Sequence, residues 1–167
     1  MLPGQYVKYK NDRDCTYTVD FAKRLHSYND APAVVMYQNG VKCSEIWYNH
    51  GEIHRDNGKP ARLEYYPSGE VMDSYWYKHG KIHRDNDLPA IENYWDKSKS
   101  FIGQSSMLYW YKDDKLHRDN GMPALLHYIF VDKDTYLVHN YWYTESKLYR
   151  DPSKGPAFIT QVVGLQE

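Results

Sequence analysis

The tetrapeptide His-Arg-Asp-Asn occurs three times, at 54–57, 83–86 and 117–120. Each copy begins seven residues after the Trp of a Trp-Tyr pair and is followed by a Pro-Ala pair: Pro60-Ala61, Pro89-Ala90 and Pro123-Ala124. Such self-similarity constrains the fold more than any single residue, because every copy must turn and stack in the same way. Aligned on the histidine, two degenerate copies join the series. They are His26-Ser27-Tyr28-Asn29 before Pro32-Ala33, and Tyr149-Arg150-Asp151 before Pro156-Ala157. The anchors 26, 54, 83, 117 and 149 are 28, 29, 34 and 32 residues apart. Seven residues before each stand Val19, Trp47, Trp76, Trp110 and Trp142, and directly before each stand Leu25, Ile53, Ile82, Leu116 and Leu148. Read this way, 1–167 is one repeat domain. A leading half-repeat (1–14) precedes five repeats at approximately 15–42, 43–71, 72–105, 106–137 and 138–167.

The pattern around each Trp-Tyr favours strands. Asp73-Ser74-Tyr75-Trp76-Tyr77 and Met107-Leu108-Tyr109-Trp110-Tyr111 are rich in aromatics, which suit a pleated surface. Turns follow at Asn49-His50-Gly51, Lys78-His79-Gly80 and Lys112-Asp113-Asp114, ending in residues that tolerate positive φ. A return strand such as Lys81-Ile82-His83-Arg84 is then expected, and a second break with Asp30, Gly58, Asp87 or Gly121 at one shared offset. Past each Pro-Ala the strand resumes, and turns such as Gln38-Asn39-Gly40 and Pro67-Ser68-Gly69 lead to the next copy. The expected fold is all-β: an elongated antiparallel meander or shallow solenoid of five hairpin repeats, each adding two strands.

Composition narrows the function classes. Hydrophobic residues make up 41%, much of it 18 Tyr and 5 Trp, which pack on one side and show a polar tip on the other. The net charge of −1, with both signs interspersed, gives no electrostatic footprint for nucleic acid or an anionic membrane. No apolar run approaches the roughly 20 residues a membrane span needs, and Met1-Leu2-Pro3-Gly4 opens no signal peptide, so a cytoplasmic, intracellular setting is expected. Cys15 and Cys43 stand one period apart in one column with Met72, Ser106 and Val138. Buried free thiols are expected there, because a disulfide needs Cα atoms within roughly 7 Å and each repeat inserts two strands between them.

The motif Trp-Tyr-x-x-Gly-x-(Ile/Leu)-His-Arg-Asp-x-x-x-Pro-Ala, with a Tyr and a turn Gly afterwards, resembles the MORN-like repeats of giant-virus and bacteriophage proteins. The resemblance covers nearly the whole chain. Ordinary MORN repeats are shorter, with a Tyr-x-Gly opening and a later Gly-x-Gly, and this chain departs from both features. The resemblance implies a non-enzymatic β-hairpin repeat, with a viral origin and a host-directed partner.

Three candidate sites follow. His-Arg-Asp resembles the catalytic loop of protein kinases, yet no Gly-rich phosphate loop, strand lysine motif or Asp-Phe-Gly accompanies it. A triplet recurring in four of the five copies, counting Tyr149-Arg150-Asp151, is better explained by turning and stacking, with Asp56, Asp85, Asp119 and Asp151 capping the turn backbone. The arginines would then pair with an Asp of their own or an adjacent copy. A metal-binding histidine ladder is disfavoured. Equivalent histidines two strands apart stand about 10 Å from one another, against metal–nitrogen bonds of about 2 Å. The third candidate lies where the period fails, in the stretches 94–106 and 128–138. There Trp95, Phe101, Ile102, Ile129 and Phe130 are candidate anchors for a protein partner. The expected function is therefore a non-enzymatic binding module without cofactor or metal, engaging a protein and open to homodimerisation through its sheet edges. The alternative is a glycan or small ligand held in aromatic clefts between repeats.

Overall fold

The computed structural model describes residues 5–10, 13–100, 102–132 and 134–164. Among these the chain is all-β, apart from a single 3-10 turn at Pro152–Lys154. It divides into two compact units, Met1–Lys81 and Ile82–Glu167.

In the first unit the strands are β1 (Gln5–Lys10), β2 (Arg13–Thr18), β3 (Val34–Gln38), β4 (Val41–Ile46), β5 (Tyr48–Asn49), β6 (Glu52–Ile53), β7 (Arg62–Tyr65), β8 (Val71–Tyr75) and β9 (Tyr77–Lys78). The unit boundary falls within β10 (Lys81–Ile82). The sheet runs β1-β2-β3-β4-β7-β8 with every neighbour antiparallel. Asn39 and Gly40 turn the β3–β4 hairpin with φ of 52° and 75°, the paired left-handed geometry that tight hairpins favour. Register slips between Met36 and Tyr37 and between Glu64 and Tyr65 leave Cys43 and Met72 as the extra residues of two β-bulges. Strand β3 separates Cys15 on β2 from Cys43 on β4, and neither cysteine is in a disulfide.

The second unit contains β11 (Ile91–Asn93), β12 (Ser105–Tyr109), β13 (Tyr111–Lys112), β14 (Lys115–Leu116), β15 (Leu125–Phe130), β16 (Thr135–Tyr141), β17 (Tyr143–Thr144), β18 (Lys147–Leu148) and β19 (Phe158–Gly164). Its sheet runs β11-β12-β15-β16-β19, again antiparallel throughout.

Two sequence expectations need correction. The strand through each Trp-Tyr is broken at the Trp. Strands β4, β12 and β16 stop one residue before Trp47, Trp110 and Trp142, and β5/β6, β13/β14 and β17/β18 form separate two-stranded ladders. The Trp backbone explains the corner. Trp47, Trp110 and Trp142 donate N–H to the carbonyls of Ala61, Ala124 and Ala157 at 2.8, 2.8 and 2.9 Å. Their own carbonyls accept from the N–H groups of His54, His117 and Tyr149 at 3.1, 3.0 and 2.9 Å. The N–H thus continues the main-sheet register while the carbonyl opens the short ladder, and the chain leaves the main sheet at the Trp. The second correction concerns 128–138, which is mostly strand rather than loop. The extra residues lengthen the β15–β16 hairpin, and Val131 and Asp132 close its tip by donating to the Thr135 carbonyl at 3.0 and 3.2 Å.

The core is narrow. Trp47, Trp76, Trp110 and Trp142 keep only 4–9% of their surface exposed, and Ala33, Ala61, Ala90 and Ala124 are fully buried.

Candidate functional site

The geometry of the His-Arg-Asp-Asn segment follows from its Asn. Asn29, Asn57, Asn86 and Asn120 have φ between 52° and 65°, and each is followed by a second left-handed residue: Asp30, Gly58, Asp87 or Gly121, with φ between 53° and 68°. Asn, Asp and Gly are the residues that enter this region at least cost. The paired left-handed residues aim the second carbonyl at the next tryptophan. The indole Nε1–H groups of Trp47, Trp76, Trp110 and Trp142 donate to the carbonyls of Asp30, Gly58, Asp87 and Gly121 at 2.9, 2.8, 2.9 and 2.8 Å. A buried indole N–H thus always finds its acceptor.

The arginine covers the same tryptophan from outside. Arg55, Arg118 and Arg150 place their guanidinium carbons 3.7, 4.0 and 4.0 Å from the ring centroids of Trp47, Trp110 and Trp142, within cation–π range. Arg55 forks onto the Asp30 carboxylate through Nε and Nη2 at 2.7 and 3.0 Å, and Arg118 holds Asp87 in the same way at 3.0 and 2.8 Å. Both pair with the adjacent copy. Arg84 departs from this and donates to Glu92 at 2.7 Å. The hydrogen bond from Arg55, then that from Lys59, holds the Asp30 carboxyl well below the usual carboxylate range.

The histidine joins two hairpins. Nε2 of His54, His83 and His117 lies 3.1, 3.0 and 2.9 Å from the carboxylates of Asp56, Asp85 and Asp119. On the other side of the ring, Nδ1 of His26, His54 and His83 accepts the backbone N–H of His50, His79 and Asp113 at 3.1, 3.4 and 3.3 Å. This network assigns the proton to Nε2 of His54 and His83. The expectation that Asp56, Asp85 and Asp119 cap the turn backbone is therefore corrected: an imidazole within reach captures their carboxylates. Asp151 does cap, accepting Ser153 N–H at 3.0 Å, because Tyr149 stands in the anchor slot and brings no imidazole.

The residues that sequence reasoning missed lie at the tips of the short ladders. The rings of His50 and His79 stack on His26 and His54 with centroids 4.2 and 4.8 Å apart, and Asp113 comes within 3.6 Å of His83 Nδ1. Their complementary pattern, His or Asp facing each anchor, was present in the aligned turns. The next tip residues, Gly51, Gly80, Asp114 and Ser146, donate N–H to the carbonyls of Leu25, Ile53, Ile82 and Leu116 at 2.8–3.0 Å. The aliphatic column therefore supplies backbone acceptors as well as bulk.

Between successive turns lie clefts of mixed polar and apolar lining. One of ≈ 260 Å³ is walled by Tyr48, Asp30 and Asn57. A second of ≈ 230 Å³ is walled by Asn86, Tyr111 and Asp119, and a third of ≈ 250 Å³ by Asn120, Tyr143 and Asp151. Among the described residues no group of three or more His, Cys, Asp or Glu side chains is arranged to hold a metal ion, and no helix is long and apolar enough to cross a membrane.

Of the expected partner anchors, the structure brings two together. Trp95 packs edge-on against Phe130 with centroids 4.6 Å apart, and Phe130 is held in place by backbone bonds with Gly103 and Gln104. The adjoining loop is closed by Asp96, whose carboxylate accepts Ser98 N–H and Oγ–H at 3.0 and 2.6 Å. Ile102 is 62% exposed. Ile129 is half-buried on β15 between Ser105 and Leu137, and strand alternation turns it to the face opposite Phe130. Phe101 lies outside the described residues. No protein-family model matches this chain, and neither a curated protein nor a solved structure matches it.

Proposed function

We propose that the chain is a non-enzymatic repeat scaffold of the MORN-like, β-hairpin type that binds a protein partner, a virus-encoded one directed at a host factor if the resemblance extends to origin. One observation carries this reading. The His, Arg and Asp groups that look most like chemistry hold one sequence copy against the next at several positions. In the second unit the irregular stretch instead carries the Trp95–Phe130 pair and an exposed Ile102, one residue before Gly103, whose N–H donates to the Phe130 carbonyl. Large apolar side chains on an anchored loop are the usual centre of a protein interface.

Immobilised protein and the I102E variant exposed to extract of the native cell test it. A partner retained near stoichiometrically by the parent and lost by I102E supports the reading; equal retention by both sinks it. The clefts favour a second reading, a glycan or small polar ligand. Its contacts would come from Tyr48, Tyr111 and Tyr143 rather than from the tryptophans, which the arginines cover. A glycan-array signal abolished by Tyr111→Ala would favour that alternative.

A further inference from the structure

Strand β19 stands at the end of the second unit's sheet, paired with β16 along Phe158–Gly164 and, among the described residues, with nothing on its other side. The strands that follow Pro-Ala earlier in the chain differ. β3 lies between β2 and β4, β7 between β4 and β8, and β15 between β12 and β16. In each of these places an antiparallel hairpin strand fills the position that is open beside β19.

The open edge has none of the usual protection. Phe-Ile-Thr-Gln-Val-Val-Gly carries no charge, no proline and no bulge, and Phe158 and Val162 are 43% and 72% exposed. Trp142 N–H donates to the Ala157 carbonyl, so in the alternating ladder Ala157, Ile159, Gln161 and Val163 face β16. The backbone groups of Phe158, Thr160, Val162 and Gly164 therefore point to the free edge.

We propose that β19 pairs antiparallel with β19 of a second copy of this chain, about a two-fold axis at Gln161. This is independent of the protein-partner reading above. In that register Thr160 exchanges hydrogen bonds with Val162 of the other copy, and Phe158 with its Gly164. Ile159 meets Val163, and Gln161 opposes Gln161, its side-chain oxygen accepting Asn140 Nδ2 of its own copy at 3.3 Å. No charge opposes a like charge, and the aromatic ring lies over a glycine, a favourable cross-strand pair. The same seven residues complete the hairpin for both copies, an isologous contact that closes at two.

Light scattering on the size-exclusion peak, from low to high micromolar protein, tests the proposal. The parent should reach twice the 19.9 kDa chain mass. V162P removes an N–H that points only to the open edge, so it should run at the single-chain mass with its β circular dichroism intact. V162K, which places a charge beside its own copy, should do the same and decides the matter if V162P fails to fold. A parent that stays at single-chain mass throughout, or a dimer or larger species that V162K leaves intact, overturns the proposal.

Discussion

Arg150 stacks on Trp142 as Arg55 stacks on Trp47, yet its Nε is buried without a hydrogen-bond partner. The cause is one residue. Gly121 occupies the position that Asp30 offers to Arg55 and Asp87 offers to Arg118. Its φ of 68° is close to the 60° and 53° at which those aspartates sit, and a Cβ there would first meet Lys154 Nζ at 3.6 Å. Gly121→Asp should therefore supply the carboxylate for the missing fork, with Lys154 as its second cation, as Lys59 is at Asp30. Set against the strain that any side chain carries at this positive φ, the expected net gain is about 0.5 kcal/mol, read as a higher thermal midpoint; a lower one would contradict this pairing. A second residue-scale outcome concerns His127. Its Nε2 is buried without a partner, its ring lies 5.5 Å from that of His139, and burial followed by repulsion from His139 lowers its pKa below 6.5. The folded state thus prefers the neutral ring. Stability should be intact above pH 6.5, the unfolded value, and fall as the pH drops from there through the folded value, because the unfolded chain takes up the proton first. His127→Phe should flatten part of the fall in urea midpoint between pH 7.5 and 5.5, about one unit either side of the histidine range. An unchanged fall would assign the dependence elsewhere.

At the scale of the element, the tryptophan corner governs. Trp76→Ala removes a buried ring and strands the Gly58 carbonyl, so a loss of roughly 3–5 kcal/mol in urea unfolding is expected. A change near zero would make the tryptophan a surface residue. The tight turns were legible in the sequence because their chemistry is local: Asn-Gly, Asn-Asp and His-Gly announce positive φ within two residues. The corner was not. Trp47 reads as strand by propensity, and what turns the chain out of the main sheet is its own carbonyl, which accepts the N–H of His54, seven residues on. The fate of the Asp carboxylates was hidden likewise, since only geometry shows that His54 Nε2 reaches Asp56 before any backbone N–H does. In the expected partner site, the break in period at Trp95 and Phe130 was visible, but their contact depends on how β11 and β15 both register against β12. Strand alternation, which then sends Ile129 away from them, could be applied only once β15 was known to be a strand.

Across the whole molecule, each main-sheet strand within a unit pairs with a strand close in sequence, and the short ladders hydrogen-bond to the tips that follow them. Stability in such a chain is a sum over neighbours. Trp142→Ala should therefore lower amide-exchange protection most in β16 and β19, with the loss fading through β15 and β12 to β11. Uniform loss across the second unit would mean one indivisible core instead. The left-handed turns carry one more consequence, in chemical ageing. Asn39-Gly40, Asn57-Gly58 and Asn120-Gly121 are Asn-Gly pairs, the dipeptide most prone to close to a succinimide and reopen as isoaspartate. Isoaspartate inserts a carbon into the main chain. At Asn57 or Asn120 it would displace the carbonyl that receives the Trp76 or Trp142 indole, so prolonged mildly alkaline storage should loosen these corners while Asn86, followed by Asp87 rather than glycine, leaves the Asp87 carbonyl on Trp110.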